Sequence, residues 1–500
     1  MAEPLDRQDR GGDKTVASRP PGAAKLRPRT LASAFREQPM PHNVDAVLAF
    51  ADAELERSLA RLFELIRIPS ISTDPAYAED CGRAAAWLTT ELLGLGFDAS
   101  VRPTEGRPMV VGHAPQADGP HVLFYGHYDV QPVDPLDLWQ TPPFEPVLLD
   151  TPQGKRIVAR GSSDDKGQLM TFVEACRAWK AVTGSLPVRV SVLFEGEEEA
   201  GSKSLGPFLD AARDELKADI ALVCDTDMWD PKTPAITTML RGLVGEEIEV
   251  TCANADLHSG MFGNAARNPL QVIGDIIHSL RTPEGAVALA GFYDGVAEVP
   301  PAVKASWEAL GFDEAAFLGD VGLKIPAGEA GRSVLEQIWA RPTCEINGVI
   351  GGYTGEGFKT VIPAKASAKI SFRLVAGQNP EKIRDAFRAH VQARIPADCS
   401  VEFRSHGASP AISTPADGAF ARAALGALTA EWGKKAVVMG SGGSIPVVGA
   451  FRRQLDMDAL LIGFAQTDDR IHSPNEKYDL SSFQHGIRSW IRILGAFAGT

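Results

Sequence analysis

Five short apolar segments of this chain are each followed by a side chain that can bind a metal ion. They are residues 122–126 before His127, 157–159 before Asp164, 188–194 before Glu198 and Glu199, 220–224 before Asp225, and 460–464 before His472. Segments of this length and composition are typical of the buried strands of a parallel sheet. Because ligands of open α/β sheets bind at the carboxyl ends of the strands, we expect these two histidines and four carboxylates to meet at one edge of one sheet.

A cluster of this kind is stable only if its charges are compensated. An unpaired carboxylate in a protein interior is very costly, and a bound cation removes that cost. Taken alone, the acidic residues 197–199 would suggest a solvated surface, and a single histidine at a strand end would suggest a hydrogen-bonded structural residue. The interpretation as a metal site rests on all five elements occurring in order, each after a predicted strand.

Neighbouring polar residues add detail to the predicted site. Asp129 follows His127 at a spacing of two, so both side chains share one face of an extended strand, and Asp129 can orient the imidazole by accepting its second N–H. Asp164 lies beside Asp165 in a tight polar turn, and from the residues alone either carboxylate can be the ligand. If one of the two adjacent glutamates after the third segment binds a metal, the other can face the bound water.

Several motifs of the chain resemble those of a known enzyme family. In chain order they are GHYDVQP, RGSSDDKG, EGEEEAGS, the Asp225 segment, DLHSGMFG, SFRLV and HSPNEK. Together they resemble the dinuclear zinc exopeptidases, the family of aminoacylase-like and carboxypeptidase-like amidohydrolases, and within it the carnosinase-like cytosolic dipeptidases. The resemblance extends from about residue 44 to the C-terminus.

The resemblance implies a specific set of metal ligands. Asp164 would bridge two metal ions, His127 and Asp225 would complete one site, and Glu199 and His472 would complete the other. The family also has a cis peptide bond after the bridging aspartate. Imidazole ligands favour zinc over magnesium, and manganese or cobalt can substitute. We therefore expect two divalent ions, with Zn²⁺ as the first choice.

The resemblance also assigns roles in catalysis and substrate binding. Glu198 would be the general base and Asp129 the residue that orients a ligand. His258 would reach across a homodimer interface into the partner's site and help to hold the developing oxyanion. The residues expected to bind a substrate carboxylate are Arg373 on a polar strand face, and Gly443 and Ser444 in a glycine-rich turn.

The pattern of apolar residues predicts a catalytic domain with an insertion. A helix is expected over residues 44–67, and strands and helices then alternate to about residue 240. From residue 242 the strands alternate strictly between polar and apolar positions, and two helices are predicted to begin at Asn268–Pro269 and Asn379–Pro380. The predicted fold class is α/β: a doubly wound mixed sheet with an inserted α+β ferredoxin-like lid and dimerisation domain.

This organisation gives four predicted parts. They are a disordered N-terminal extension (1–43), the first part of the catalytic domain (44–241), the inserted domain (242–408) and the second part of the catalytic domain (409–500). The extension is rich in Arg, Pro, Gly and Asp and lacks apolar periodicity.

Charge and cysteine content restrict the partners and the compartment. A net charge of −14 argues against nucleic acid and against an anionic membrane surface. The six cysteines are scattered and form no CxxC pair, which is typical of free thiols in a reducing compartment. Without an apolar segment of about 18 residues, no membrane span is expected. We therefore expect a cytoplasmic protein whose partner is a small peptide substrate.

The function that follows is hydrolysis of the amide bond of dipeptides or short peptides with a free C-terminal carboxylate, by a metal-activated water and a glutamate base. An N-acyl-amino-acid deacylase or a carboxypeptidase on the same scaffold is the main alternative. A binding protein without catalytic activity is another, although no predicted ligand or base is missing. A dinuclear phosphoesterase is the third, although no Gly-rich phosphate loop or Arg cluster lies beside the predicted ligands.

Overall fold

The computed structural model of this protein describes residues 44–115 and 117–500. The predicted disordered extension of residues 1–43 lies outside the described residues. The strands are β1 Asp98–Arg102, β2 Met109–His113, β3 His121–His127, β4 Val147–Thr151, β5 Gly154–Val158, β6 Arg189–Glu195, β7 Ile220–Val223, β8 Ala235–Leu240, β9 Gly242–Thr251, β10 Leu257–His258, β11 Thr343–Gly351, β12 Val361–Ile362, β13 Lys365–Leu374, β14 Ser400–Ser409, β15 Ile412–Ser413, β16 Val437–Ser441, β17 Ala459–Leu461 and β18 Lys477–Asp479.

The α-helices lie between these strands. They are α1 Val44–Ala53, α2 Leu55–Ile66, α3 Ala78–Gly94, α4 Lys166–Thr183, α5 Leu205–Ala211, α6 Arg213–Leu216, α7 Ser259–Phe262, α8 Pro269–His278, α9 Pro301–Glu308, α10 Glu314–Gly319, α11 Pro380–Gln392, α12 Ala419–Trp432, α13 Pro446–Ala450 and α14 Leu480–Phe497. The single helix predicted over residues 44–67 is interrupted at Glu54, whose backbone leaves the helical conformation (φ −96°, ψ 4°). None of the helices that the structure describes has both the length and the apolar character needed to cross a bilayer.

A nine-stranded mixed sheet forms the centre of the fold. Its strand order is β1-β2-β6-β3-β7-β17-β8-β15, and β16 pairs with β8. In its middle, β3 is parallel to β6 and β7, and β17 is parallel to β7. Four of the five predicted apolar segments are therefore adjacent parallel strands of one sheet, and their carboxyl ends meet at one edge.

Both faces of this sheet are covered by helices. On β3, Val122 and Phe124 contribute to the hydrophobic core beneath α1, α3, α4, α12 and α14, whereas Leu123 and Tyr125 contribute to the core beneath α5 and α13. Successive side chains of a strand point to opposite faces, so a strand that is apolar at every position is buried on both sides. This confirms the predicted doubly wound α/β architecture with a mixed sheet.

The prediction for the segment before Asp164 is wrong. Strand β5 belongs to a separate three-stranded antiparallel sheet of order β18-β5-β4 and not to the central sheet. Its first residues, Gly154 and Lys155, are exposed, and only Ile157 and Val158 are buried. A strand that is exposed at one end and follows β4 through a tight turn is a hairpin strand, and its short apolar end resembles a buried strand only locally.

A second, four-stranded antiparallel sheet has the order β11-β13-β9-β14. In chain order its elements are β9, α8, β11, β13, α11 and β14, which is the β-α-β-β-α-β connectivity of ferredoxin-like folds. Strand β13 alternates between buried and more exposed residues, as predicted. The side chains of Asn268 and Asn379 cap α8 and α11 by accepting hydrogen bonds from backbone N–H groups of the first turn.

The chain leaves the central sheet for this second sheet and later returns to it. Ile412 in β15 pairs with Leu240 in β8, so the chain returns beside the strand from which it left. This pairing supports our proposal of a catalytic domain formed by residues 44–241 and 409–500 and interrupted by residues 242–408.

Candidate metal centre

Three elements of the central sheet bring candidate ligands to one edge. His127 is the last residue of β3, Glu198 and Glu199 form a short 3₁₀ turn after β6, and Asp225 follows β7. Since β6, β3 and β7 are neighbours and parallel, these side chains project from the same edge. His472 lies after β17, the next parallel strand.

Asp164 reaches the same edge from a different element. It lies in the tight turn between β5 and α4, immediately before the first turn of that helix. Its carboxylate lies between two imidazoles, with Oδ1 3.0 Å from His127 Nε2 and Oδ2 2.9 Å from His472 Nε2. The Nε2 atom of His472 is also 3.2 Å from Glu199 Oε2.

These side chains form two groups that share one carboxylate. One group contains His127, Asp164 and Asp225, the other contains Asp164, Glu199 and His472, and the ligand atoms of each lie within 4.8 Å of one another. Ligand atoms around a tetrahedral zinc ion at about 2.0–2.1 Å are separated by roughly 3.3 Å. Each group offers nitrogen and carboxylate donors that could hold a divalent cation, and Asp164 could contribute an oxygen to both groups.

The electrostatics of the site also fit a cation. Burial disfavours the charged form of Asp164, but hydrogen bonds from His127 and His472 hold its pKa well below the usual range. Burial raises the pKa of Asp225 well above that of a free carboxyl, and the nearby charges of Asp164 and the glutamates raise it further. Hydrogen bonds to Asp164 and Glu199 raise the pKa of His472 to about 10. A divalent ion bound here would compensate the buried carboxylates and would take the place of the protons on the two imidazoles.

The structure shows which of the two adjacent aspartates, Asp164 or Asp165, is the candidate ligand; the residues alone left both possible. Both groups of ligand atoms contain Asp164. The side chain of Asp165 is fully buried behind the site, and its Oδ2 accepts a hydrogen bond from the backbone N–H of His127 at 3.0 Å. The peptide bond between the two aspartates is cis, as the resemblance implied.

Asp129 contacts both the ligand histidine and the glutamate turn. His127 Nδ1 lies 3.1 Å from the carbonyl oxygen of Asp129 and 3.4 Å from its Oδ1. The carboxylate also accepts the backbone N–H groups of Glu198 (3.2 Å) and Glu199 (3.0 Å), a function that the sequence pattern did not suggest. Glu198 belongs to neither ligand group, and burial followed by the charge of Glu199 and other neighbouring carboxylates raises its pKa to about 8, although the charge of His127 acts in the opposite direction.

Arg373 and the glycine-rich turn lie together. The guanidinium of Arg373 donates from Nη1 to Ser444 Oγ at 3.0 Å, and the Ser444 hydroxyl donates to the carbonyl oxygen of Arg241. Gly443 in the same turn accepts a hydrogen bond from the backbone N–H of Arg241 at 3.1 Å. Arg241, which we did not predict, places a second guanidinium here, and its Nε donates to Gly442 O at 3.1 Å.

The two arginines form an unneutralised pair of cations. Burial, and then the charge of Arg373, lower the pKa of Arg241 to about 10. The charge of Glu345 acts on Arg241 in the opposite direction, but within the described part of the chain neither guanidinium forms a salt bridge with an acidic side chain. Like charges brought together without a counter-ion favour an anionic ligand. Little in the sequence indicated that Arg241 belongs to this site, because a single arginine between two predicted strands is usually a surface residue.

His258 lies apart from the metal ligands in the described residues. It ends the short strand β10, which pairs with β12, and its side chain is exposed. Its Nδ1 accepts a hydrogen bond from the backbone N–H of Gly260 at 3.0 Å. Two further polar residues missed by the sequence analysis contact the ligands directly: Gln131 donates to Glu199 Oε2 at 2.7 Å, and Glu476 accepts from the Asp164 backbone N–H.

Comparisons with known proteins find relatives over most of the chain. The Cys-Gly metallodipeptidase dug1 of Schizosaccharomyces pombe is 31% identical over 466 residues, which cover 90% of this chain and 97% of the relative. The Beta-Ala-His dipeptidase of Homo sapiens is 27% identical over 472 residues, which cover 90% of this chain and 92% of the relative. The solved structure of the dipeptidase Dug1p from Saccharomyces cerevisiae superposes with a TM-score of 0.79 at 27% identity, covering 92% of this chain and 100% of that chain.

The resemblance seen in the motifs is thus confirmed over most of the chain. The family model for peptidase family M20/M25/M40 matches residues 123–496, which begin within β3 and end within α14 and so include all five candidate ligands. The chain belongs to peptidase family M20/M25/M40.

Proposed function

We propose that this protein is a dipeptidase that hydrolyses the amide bond of dipeptides carrying a free amine and a free carboxylate. It uses two divalent metal ions, with zinc as the native metal and manganese or cobalt able to replace it. The observation that carries this proposal is the carboxylate of Asp164, which two separate groups of ligand atoms share. The relatives with the names Cys-Gly metallodipeptidase and Beta-Ala-His dipeptidase support the choice of substrate class.

The roles of the side chains follow from their positions. Two divalent ions polarise the peptide carbonyl and acidify a water molecule when they are bound. Glu198 removes a proton from the attacking water and delivers it to the leaving amine, because its carboxylate is close to the ligands without being one of them. Asp129 holds the backbone of Glu198 and Glu199, so the base and one ligand keep a constant separation.

Arg373, Arg241, Ser444 and Gly443 bind the carboxylate end of the substrate. A planar guanidinium can donate two parallel hydrogen bonds to a carboxylate, and a second cation beside it strengthens the attraction. Burial of both guanidiniums reduces the solvent screening that would weaken such contacts at the surface.

The charge balance of the site favours a substrate with a protonated amine. Asp227 is near enough for the charge of Asp164 to raise its pKa, after the larger effect of burial. The carboxylates of Asp164, Asp225, Glu198, Glu199 and Asp227 lie at the site, and those of Asp129 and Asp165 lie against His127, so the four positive charges of two divalent ions would not outnumber them. The remaining negative charge attracts an ammonium group, which a dipeptide has and an N-acyl amino acid lacks.

A substrate panel tests this proposal. We expect alanyl-glycine and glycyl-glycine to be hydrolysed, and their C-terminal amides to have a kcat/KM lower by about 10–100-fold, because a charge-assisted contact to the carboxylate is lost. Arg373→Met should raise KM for the free acids by a similar factor and remove the preference over the amides. The exposed Arg404 on β14 provides a matched control, since Arg404→Met should leave both constants unchanged.

The same panel separates the alternatives. Hydrolysis of N-acetyl or N-succinyl amino acids without hydrolysis of dipeptides would make the protein a deacylase on the same scaffold. Equal rates on the acids and the amides, with no effect of Arg373→Met, would contradict the proposed carboxylate site.

We also propose that the protein is a homodimer in which His258 of each subunit reaches into the active site of the other subunit. Strand β11 is at the edge of its sheet, and Ile346, Val349 and Ile350 on it are 38%, 50% and 59% exposed. Edge strands with exposed apolar residues usually pair with or are covered by another chain. Met261, three residues after His258, is 76% exposed, so the surface around the histidine is apolar as well.

Mixing two inactive variants tests this exchange. In a dimer of one His258→Ala chain and one Glu198→Ala chain, one active site keeps an intact Glu198 and receives the partner's His258. An equal, fully exchanged mixture should therefore recover about a quarter of the wild-type activity, since half of the dimers are mixed and each has one complete site. His278→Ala, which removes an exposed histidine from α8, should keep full activity. Either no recovery in a dimer confirmed by light scattering, or a monomer with full activity, would contradict the exchange.

A cytoplasmic location is proposed from the cysteines. All six are free thiols in the structure, and four of them are buried. Proteins with unpaired thiols are typical of reducing compartments.

A further inference from the structure

Arg160 and Glu476 form an ion pair in the protein interior. Both side chains are almost completely buried, and Arg160 Nη1 lies 2.7 Å from Glu476 Oε2. Arg160 opens the turn that carries Asp164, and Glu476 follows His472 by four residues. The pair therefore connects the two chain segments that bring these candidate ligands to the site.

The carboxylate of Glu476 accepts three further hydrogen bonds, all from the backbone of that turn. The donors are the N–H groups of Gly161 (3.0 Å), Ser163 (2.9 Å) and Asp164 (3.1 Å). The last of them belongs to the residue whose carboxylate both ligand groups share. One side chain thus holds the backbone of the turn at three points and the arginine at a fourth.

A second buried carboxylate connects the same segments. Asp469 Oδ2 accepts from the hydroxyl of Ser163 at 2.6 Å and from the backbone N–H of Gln466 at 2.9 Å, and Lys477 Nζ lies 2.6 Å from Asp469 Oδ1. His472, between these anchors, has a side chain that is 53% exposed. Packing therefore restrains it little, and its position depends on the residues that hold the segment.

The charged side chain of Glu476 matters more for the geometry of the turn that carries Asp164 than for the folding stability of the protein. Burying an ion pair costs desolvation energy, and apolar replacements of such pairs are often neutral or stabilising. A glutamine here would present an amide N–H₂ group to backbone donors and so could accept from only part of the turn. In the carboxylate of Glu476, both oxygens accept hydrogen bonds, and both face the backbone N–H groups of residues 161–164.

We propose that Glu476 is a positioning residue of the metal centre, which fixes Asp164, the ligand that both groups share, relative to the chain segment that carries His472. This inference rests on the proposed function, in which Asp164 and His472 are metal ligands. Residues that support metal ligands in this way typically contribute 10–100-fold to metal affinity.

The test compares Glu476→Gln with a matched control in the same full-length protein. Glu431 is also a buried carboxylate with cationic partners, His485, Arg488 and Arg492, but it joins α12 to α14 and contacts no candidate ligand. Metal-free protein is titrated with Zn²⁺ in the presence of a competing chelator, and the visible absorption of the Co²⁺-loaded protein is recorded. We expect Glu476→Gln to bind metal about 10–100-fold more weakly with an altered Co²⁺ spectrum, and Glu431→Gln to match the wild type in both.

Thermal unfolding with and without Zn²⁺ keeps the test decisive if Glu476→Gln is unstable. A purely structural role would lower the Tm of the metal-free and metal-loaded forms equally, as we expect for Glu431→Gln. Our inference predicts a smaller rise in Tm on adding Zn²⁺, because bound metal stabilises in proportion to its affinity. Glu476→Asp keeps the charge, but its shorter side chain moves the oxygens away from the turn. Its rise in Tm on adding Zn²⁺ should lie between those of the wild type and Glu476→Gln. A folded Glu476→Gln or Glu476→Asp protein with wild-type affinity would overturn the inference, whereas a wild-type protein that binds no metal would instead overturn the proposed function.

Discussion

Replacing Glu198 with alanine is expected to lower kcat for dipeptide hydrolysis by about 10²–10⁴-fold, the contribution typical of a positioned general base. Metal content should not change, because Glu198 belongs to neither group of ligand atoms. Burial raises the pKa of Glu198, as expected for a carboxylate that is poorly solvated. Steady-state kinetics together with elemental analysis of the purified variant measures both quantities.

Glu197 provides the control for this experiment. It is the preceding residue and is buried, but its carboxylate accepts from the backbone N–H groups of Arg107 and Ser204 and so holds a loop. Glu197→Gln should lower Tm and leave kcat within about tenfold of the wild type. If Glu198→Ala kept more than a tenth of the wild-type kcat, or lost its metal, Glu198 would not be the base.

Replacing Asp164 should have the largest effect on metal binding. Its carboxylate belongs to both ligand groups, whereas Asp225 belongs to one. We therefore expect the wild type to bind two ions per chain, Asp225→Ala to bind one, and Asp164→Ala to bind none tightly. Hydrolysis by Asp164→Ala should fall to the detection limit, because the water loses the cations that acidify it.

Metal removal and return completes this comparison. A chelator should abolish dipeptide hydrolysis by the wild type, and added Zn²⁺ should restore it in the wild type but not in Asp164→Ala. Equilibrium dialysis with elemental analysis gives the stoichiometry. An Asp164→Ala protein that still held two ions, or a wild type whose activity survived the chelator, would contradict the shared-ligand geometry.

The central sheet and the strand ends that carry most of the candidate ligands were predictable because their signals are local. An apolar run such as residues 188–194 encodes a strand buried on both faces, and the polar residue after it marks the strand end. The short run before Asp164 was misassigned for the same reason, since a few apolar residues look alike in a central strand and at the buried end of a hairpin. The motif still pointed to Asp164 as a candidate ligand, although the strand before it was misassigned.

The sequence by itself determined the family and the fold class and named the candidate ligands, because these signals lie in residue types and spacings within a few positions of one another. Only the tertiary structure decided that Asp164 and not Asp165 faces both histidines, that Arg241 lies beside Arg373, and that Glu476 holds the ligand turn. Glu476 and Asp164 are 312 positions apart in the chain and hydrogen-bonded in the fold. Hydrogen bonds and charge interactions depend on distance through space, and a linear pattern of polar and apolar residues does not contain that distance.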